Sequence, residues 1–553
     1  MNRFAKIIFT ATLIGSLLAP TGEALFAAPG DLWETLNTKA FSYFQKGLHD
    51  DAIHTAEEAV KVAVETFGPD TDKVALSFSN LSLFHRLRGD LPKAEYHLRM
   101  AVRIRKNALG ANHPAVTDFM MSLADLYVLE KKTAMAEQTL KEVVASREKH
   151  LGKAHPDVIR SRDRLALLFE ETGRIDDAIP LREHSLEQWT QLKGEGHPDL
   201  AEYLAQLARN YEQVERSEAA RKAYEQALAI WESSEGFDNP ELVRPLNSLA
   251  GLSRSQRKPE EAEALYRRAL KLQVKALGPD HPDLAAQMVK VADVSRETFN
   301  YGSSEKYYLR AIEIWQKSQT GAQAQMAEAM NDLAELYVLL QRHYEAMPLF
   351  EKSLSIRQKV LGEKHPAVAD SLNNLARLHQ LQGNSAKARA LLDQALEIYE
   401  ERLGPNHPKV ADPMNSLGIL YLEEGRLEES HRLLEQALRI REKALGHEHP
   451  KIADSLTAMA TLHFRKNEYR QAETLYLRAV NILEENEGSR HPDLTTPLSN
   501  LAGLYRFQGL YSKAEPLYIR VLGIWETMLG PDHPHINTLL KDIAELRREE
   551  KKG

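Results

Sequence analysis

The chain is predicted to be an all-α solenoid of stacked helix pairs, and three observations predict it. The dipeptide His-Pro recurs at 113, 155, 197, 281, 365, 407, 449, 491 and 533, always on a lattice of 42 residues with nothing inserted or lost. Within each period a Pro sits where a helix would start and a Gly where one would end. Between these marks, apolar residues recur at helical spacing. A period of this size means supersecondary units that share one continuous core by stacking.

From the N-terminus onward, each part of the chain has its own justification. Residues 1–27 read as a secretory signal: Arg3 and Lys6 supply charge, Ile7 to Ala19 an apolar core, and small residues follow, with cleavage expected after Ala27 or Ala24. The apolar run is broken by Gly15 and ended by Pro20, short of the roughly 20 residues that span a bilayer. Residues 30–533 read as twelve tandem helix pairs. The two lattice sites that lack His-Pro hold Asn239-Pro240 and Gln323-Ala324.

The repeat from Pro366 to His407 shows the unit. Its first helix runs from Pro366 to Leu381 with Leu372, Leu375, Ala376 and His379 on one stripe. A turn at Gln382-Gly383-Asn384 follows, and the second helix carries Ala388, Leu391, Leu392, Ala395, Leu396 and Ile398. The Ala376 column is small throughout, with Gly418 its one glycine, and the Leu392 column alternates leucine with aromatics such as Tyr308 and Phe350. Small facing large is what interlocking helices require. Around 318–326 the lattice Gly, His and Pro are lost together while length is kept, which predicts a change of stacking angle or a mobile loop. Residues 534–553, ending in Arg547, Arg548, Glu549, Glu550, Lys551 and Lys552, read as a polar capping helix.

The columns carry a resemblance. Leu501, Ala502, Tyr505, Gly509, Ala514 and Tyr518 reproduce the pattern of the tetratricopeptide repeat family. The 42-residue period and the connector Leu529-Gly530-Pro531-Asp532-His533-Pro534 are similar to the kinesin light chain type of repeat. The resemblance implies a right-handed superhelical solenoid of helix-turn-helix units whose first helices line a concave, partner-binding face.

Composition narrows the function classes. There is no cysteine, which excludes disulfides, thiolate metal sites and a cysteine nucleophile, and suits an oxidising compartment. A net charge of -8 with dispersed Lys and Arg argues against nucleic-acid binding, which needs a basic face. No nucleophile elbow, phosphate loop or zinc-protease helix is present. His447-Glu448-His449 lacks the spacing of a metal site. The lattice histidines sit one helix-pair layer apart, too far to share an ion, and are expected to cap or pack helix starts. No metal, cofactor or catalytic residue is therefore assigned.

Two sets of residues are candidates for partner contact. The positions at which the family binds ligands map to Glu328, Asn331 and Glu335; Asp370, Asn373 and Arg377; Asp412, Asn415 and Ile419; and Asp454, Thr457 and Thr461. The spacing i, i+3, i+7 puts each trio on one helix face, so stacking should make an acidic stripe beside an Asn/Thr stripe. Such a surface suits the main chain of an extended segment and Lys, Arg or a free amino terminus. The second set, Trp189, Trp231, Trp315 and Trp525, shares a lattice position with Arg105, Arg147, Arg357, Tyr399 and Arg441. A position that accepts Trp and Arg suggests an edge only partly buried, either for a partner or lying over neighbouring repeats.

These readings converge on an exported, non-catalytic scaffold of the periplasm or exterior that binds a protein segment along its inner face, with no direct membrane insertion after signal cleavage. Two alternatives stand beside it: a membrane-tethered assembly factor that keeps residues 1–27, and an enzyme using groove carboxylates such as Asp370 and Asp412.

Overall fold

A computed structural model describes residues 29–551 apart from 112, 319, 320 and 532; the expected export signal lies outside these residues. The described residues form twenty-five α-helices that fall into two units, the first ending at Ser234 and the second beginning at Glu235. The first unit holds five helix pairs: α1 (Pro29–Gln45) and α2 (His49–Phe67), α3 (Asp72–Arg88) and α4 (Leu91–Leu109), α5 (Pro114–Leu129) and α6 (Thr133–Leu151), α7 (Pro156–Glu171) and α8 (Ile175–Lys193), α9 (Pro198–Gln213) and α10 (Ser217–Glu235). Seven pairs make up most of the second unit: α11 (Val243–Ser255) and α12 (Pro259–Leu277), α13 (Asp283–Glu297) and α14 (Tyr301–Lys317), α15 (Gln323–Leu339) and α16 (His343–Leu361), α17 (Pro366–Leu381) and α18 (Ser385–Leu403), α19 (Ala411–Glu423) and α20 (Leu427–Leu445), α21 (Pro450–Arg465) and α22 (Tyr469–Glu487), α23 (Thr495–Phe507) and α24 (Tyr511–Leu529). The lone α25 (Pro534–Glu550) completes it.

The connectors explain the constant period. After α18, Gly404 takes φ 85° and ψ 155°, a region that residues with a Cβ essentially do not occupy. The His407 N–H then donates to the Gly404 carbonyl at 3.2 Å, and the His407 Nδ1 accepts the Lys409 N–H at 3.2 Å. All nine lattice histidines cap their helices in this way, at 3.1 to 3.3 Å. A ring nitrogen that accepts carries no proton, so the capping imidazole is the neutral Nε2–H tautomer. Where histidine is missing, the Asn239 Oδ1 accepts the Glu241 N–H at 2.9 Å.

Three odd-numbered helices open with a separate 3₁₀ turn: Pro240–Leu242, Pro408–Val410 and Pro492–Leu494. They are followed by Pro245, Pro413 and Pro497, all buried in the next turn of helix. A proline there has no N–H for the carbonyl four residues back, so the first turn closes in the tighter form.

Inside the stack, Ala124, Ala166, Ala208, Ala250, Ala292, Ala334, Ala376, Ala460 and Ala502 are fully buried, and so are the large partners Tyr308, Phe350 and Leu392. A Cβ on Gly418 would stand 2.6 Å from the Leu434 Cδ2, which accounts for the one glycine in the alanine column. One core cluster in the second unit runs from Ala250 to Leu378 and so passes the irregular connector at 318–326, where α15 starts without a side-chain cap.

The Trp/Arg column differs from its sequence reading. Trp231 and Trp315 are buried, Trp189 and Trp525 are half-buried, and Arg147, Arg357 and Arg441 are buried as well. The column is a joint between repeats rather than an exposed edge. The Arg441 Nη1 donates to the Lys451 carbonyl and the Ser455 Oγ, both at 2.8 Å, while its Nη2 donates to Asp412 at 2.7 Å. Arg147 makes the equivalent bonds to the Asp157 carbonyl, Ser161 and Asp118, and Arg357 to the Ala367 carbonyl and Ser371. A guanidinium is tolerated in this position because its Nη1 meets a carbonyl and a serine hydroxyl in all three cases, although the Arg441 Nε is buried without a partner. Where the column holds Trp231, Tyr399 or Leu483, the residue fourteen further on is Pro245, Pro413 or Pro497 instead of serine.

Two predictions follow from these joints. Arg441→Trp alone should cost about 3–5 kcal/mol by stranding Asp412 and Ser455, and adding Ser455→Pro should recover at least about 1 kcal/mol of coupling in a urea-denaturation cycle. For the caps, His365→Ala should lose about 1 kcal/mol, while His365→Asn should lose little, because Asn is itself a good capping residue; urea denaturation of both variants checks it.

Candidate partner-binding face

In the second unit, neighbouring odd-numbered helices pack directly on one another, α13 on α15, α15 on α17, α17 on α19, α19 on α21 and α21 on α23. Each even-numbered helix packs mainly on its own partner and on the next odd helix. The odd helices therefore crowd together on the inside of the curve, and their free faces form its inner surface.

The structure sorts the acidic stripe into engaged and unengaged residues. Asp370 accepts from the Tyr399 hydroxyl and, at 2.9 Å through both oxygens, from the Lys409 Nζ. Asp412 is held by Arg441 and lies 3.5 Å from the Lys451 Nζ. Both belong to the joints just described, since Asp118, Asp370 and Asp412 accept from the residue twenty-nine positions later on the following helix. At the next step of the lattice that later residue is Leu483, which cannot donate, and Asp454 is left exposed with no hydrogen-bond partner among the described residues. The walls of the groove and the carboxylates of Asp493 and Asp412 raise its pKa, against the opposing charges of Arg441 and Arg377. Glu328 is exposed and Arg377 stands exposed on the same face.

The amide stripe is also divided. The Asn331 Nδ2 donates to Glu335 at 2.8 Å, and its Oδ1 accepts from the Asn374 Nδ2 at 3.1 Å, a bond between neighbouring odd helices. Asn37 and Asn80 repeat it in the first unit. The Thr457 hydroxyl donates to the Ala453 carbonyl, the Thr461 hydroxyl bonds with Thr457 and Tyr476, and Ile419 is half-buried against the core. In contrast, the Oδ1 atoms of Asn373 and Asn415 are buried without a partner.

The strongest electrostatic feature is a residue the sequence reading passed over. Asp332 has no hydrogen-bond partner among the described residues, and burial, followed by Glu335 and Asp293, pushes its pKa up to about 7; Arg296 opposes this and Glu328 adds to it. The Asp293 Oδ1 accepts from the Tyr308 hydroxyl at 2.5 Å, and burial raises its pKa too. Glu335 lies 3.7 Å from the Arg296 guanidinium and accepts from Asn331 and Asn374. Arg296 thus serves a group of four carboxyls on α13 and α15, with the Arg254 guanidinium also opposing the charge of Asp293. The signal was available in the sequence, because Asp293 and Glu335 occupy the same lattice position and Asp332 lies one residue beyond Asn331.

The tetratricopeptide repeat model matches residues 34–107, 74–149, 157–233, 241–317, 325–401, 378–443 and 421–485, and a second model of the same description matches 498–535. The chain belongs to the tetratricopeptide repeat family. Tetratricopeptide arrays are typically non-catalytic scaffolds that bind protein partners. Among curated proteins, a clustered mitochondria protein homolog of Coccidioides immitis is 38% identical over 72 residues, and one of Emericella nidulans 36% over 72 residues. Each match covers 13% of this chain and 6% of the relative. Among solved structures, BtubC from P. vanneervenii is 22% identical with a TM-score of 0.35, covering 42% of this chain and 92% of that one. A putative kinesin light chain with nearly identical repeats from Podosopora anserina is 24% identical with a TM-score of 0.34, covering 37% and 98%.

In the tetratricopeptide repeats of the first unit Arg164 bonds Asp125 at 2.5 Å across α7 and α5, Glu170 accepts from Arg182 at 2.9 Å and from Asn210 at 2.7 Å, and burial pushes the Asp163 pKa up to about 6. Among the described residues no group of three or more His, Asp or Glu is placed to hold a metal ion, and no helix is long and apolar enough to cross a membrane.

Asp332 should act on stability with a definite sign. Its folded-state pKa lies above the ordinary carboxylate value, so ionising it costs folding free energy. That cost is absent where both states are protonated and complete above about pH 7. Asp332→Asn should therefore stabilise the chain by about 1–3 kcal/mol at alkaline pH, with the gain shrinking toward zero near pH 4; thermal melts of both proteins across pH measure it.

Proposed function

We propose that this chain is an exported scaffold that receives a segment of a partner protein rich in Lys, Arg or free amino groups on the inner face of its second unit. The observation that carries the reading is the gathering of Glu328, Asp332, Glu335 and Asp293 about the guanidinium of Arg296, with Arg254 as the further cation near Asp293. A carboxyl whose pKa is raised by burial and then by neighbouring carboxylates favours the approach of positive charge, and an incoming ammonium or guanidinium meets it with charge-assisted hydrogen bonds. Further along the same face, the exposed carboxylate of Asp454 offers an acceptor for the N–H groups and cations of a bound chain. Because the scaffold is already folded, binding adds little ordering cost on its side.

The reading of export rests on the charge, apolar core and small residues of 1–27 and on the absence of cysteine. Comparing the N-terminal residue and the cell fraction of the native protein tests it: an intact Met1 in the cytoplasm would refute export.

Binding should be linked to protonation, because a cation selects the ionised form of Asp332. Between about pH 8 and about pH 6 the affinity for a fluorescent oligolysine peptide should fall about tenfold, as expected for one group titrating near pH 7. In Asp332→Asn affinity should be weaker at alkaline pH and this component of the pH dependence should vanish; fluorescence anisotropy reads both. A wild-type chain with no affinity for the peptide at either pH would defeat the proposal.

A further inference from the structure

At the turn inside each helix pair one residue adopts positive φ, and glycine fills that place in six of the twelve pairs. Lys131, Glu215, Arg257, Phe299, Gln341 and Asn467 do so instead, at φ between 58° and 63°. Crowding of Cβ against the backbone disfavours this conformation for any residue but glycine, so a run of exceptions calls for a compensating gain. Arg257, Phe299 and Gln341 form such a run, on three successive repeats of the second unit, whereas Gly383, Gly425 and Gly509 hold the place in later ones.

Two of these residues, Arg257 and Phe299, make contact with distant repeats of the same unit. The Arg257 Nη1 donates to the Glu485 carbonyl at 3.3 Å and its Nη2 to the Asn486 Oδ1 at 3.2 Å. One repeat later, the Phe299 ring meets the His491 ring edge-on, with centroids 6.3 Å apart. Tyr301 sits within the field of the Asp493 carboxylate, and a further repeat on, His343 sits within that of His535. The last three pairs share one sequence separation, four periods plus the stretch from turn to connector, as a regular coil requires. Met528 packs both on the core cluster of the early repeats and on that of the last ones. The turn-bearing edge of the early repeats thus meets the His-Pro edge of the late repeats, and the second unit coils until it touches itself.

We propose that this seam is a gate, holding the coil of the second unit closed around its own inner face and admitting a partner segment when it parts. The inference rests on the reading of that face as the binding surface. Arg257 is exposed, Phe299 and His491 are half-buried, and the seam is made chiefly of hydrogen bonds and a ring contact, with Met528 and the buried Tyr301 as its apolar members. Helix-to-helix joints within the stack bury whole apolar faces, so the seam is the part of the coil that opens without unfolding any repeat.

The absence of native cysteine makes the test direct. In a chain carrying Arg257→Cys and Asn486→Cys, a short bis-maleimide should bridge the two thiols, and N-ethylmaleimide gives the matched unbridged protein. Association of the oligolysine peptide, followed by stopped-flow fluorescence, should be at least about tenfold slower for the bridged form, the scale expected when a conformational change is blocked before binding. A second variant, Arg257→Gly with Phe299→Gly and Gln341→Gly, removes the seam while giving each turn the residue its backbone favours. It should keep its fold, bind at least as fast as the wild type, and show faster hydrogen exchange at residues 485–494. Equal association rates for the bridged and unbridged forms would overturn the gate and leave the groove reading standing. Failure of the thiols to bridge, or unchanged exchange in the glycine variant, would overturn the seam itself. If oligolysine binds none of these proteins, the groove reading falls and the gate falls with it.

Discussion

The array depends on the connector by which one helix pair hands over to the next. At Gly404 the backbone adopts φ 85° and ψ 155°, and three residues later His407 closes the turn with its own N–H and caps the next helix with its ring. Every torsion in this short stretch is therefore pinned, by a conformation that a Cβ excludes at one end and by a side-chain cap at the other. Repeating it at constant spacing puts equivalent residues of successive repeats side by side. Only under that constraint can a column of alanines meet a column of aromatics, or an arginine find a serine on the following helix.

A second layer of order lies in how residues of neighbouring repeats are matched. Asp118, Asp370 and Asp412 each bond the residue twenty-nine positions on, either arginine or tyrosine, and the arginines in turn hold the serine fourteen positions further. These bonds remove most of the acidic stripe from the pool of groups free to meet a partner. What remains is informative because it breaks the pattern. Asp454 faces a leucine where a donor would stand, and Asp332 shares the Arg296 guanidinium with three other carboxyls. Local rules broken without internal compensation mark the places where a structure is shaped for something outside itself.

Most of the fold was legible in the sequence because its determinants are local. The helix Pro366–Leu381 is bounded by a proline, a capping histidine and a left-handed glycine, all within hydrogen-bonding range of its own backbone. The candidate face was less legible. The family's ligand-binding positions, mapped on the lattice, picked out Asp370 and Asp412, but their engagement with Lys409 and Arg441 depends on how neighbouring repeats pack. Asp332 was missed since the inner face is wider than the i, i+3, i+7 stripe, and its neighbours come from another repeat. The Trp/Arg column misled for a different reason. Arginine was taken as a sign of exposure, yet the serine that satisfies Arg147, Arg357 and Arg441 recurs fourteen residues later, and proline accompanies Trp231, Tyr399 and Leu483.

This pairing limits how such a gene can grow or shrink. Arrays of equal repeats are expected to gain and lose units by unequal recombination, since any two periods align and the connectors are interchangeable. Here the joints differ in kind: Arg147, Arg357 and Arg441 each hold the serine fourteen residues on, whereas Trp231, Tyr399 and Leu483 have proline at that place in the sequence and Arg105, Trp189, Trp315 and Trp525 have Phe119, Tyr203, Ala329 and Leu539. A deletion that brought Arg357 up to Ser455 would restore a working joint, whereas one that brought it up to Pro413 would leave a buried cation without its acceptor. Length variants that survive should therefore be those whose breakpoints join halves of the same kind, and the order of the repeats is inherited as a sequence of compatible neighbours rather than as a simple count.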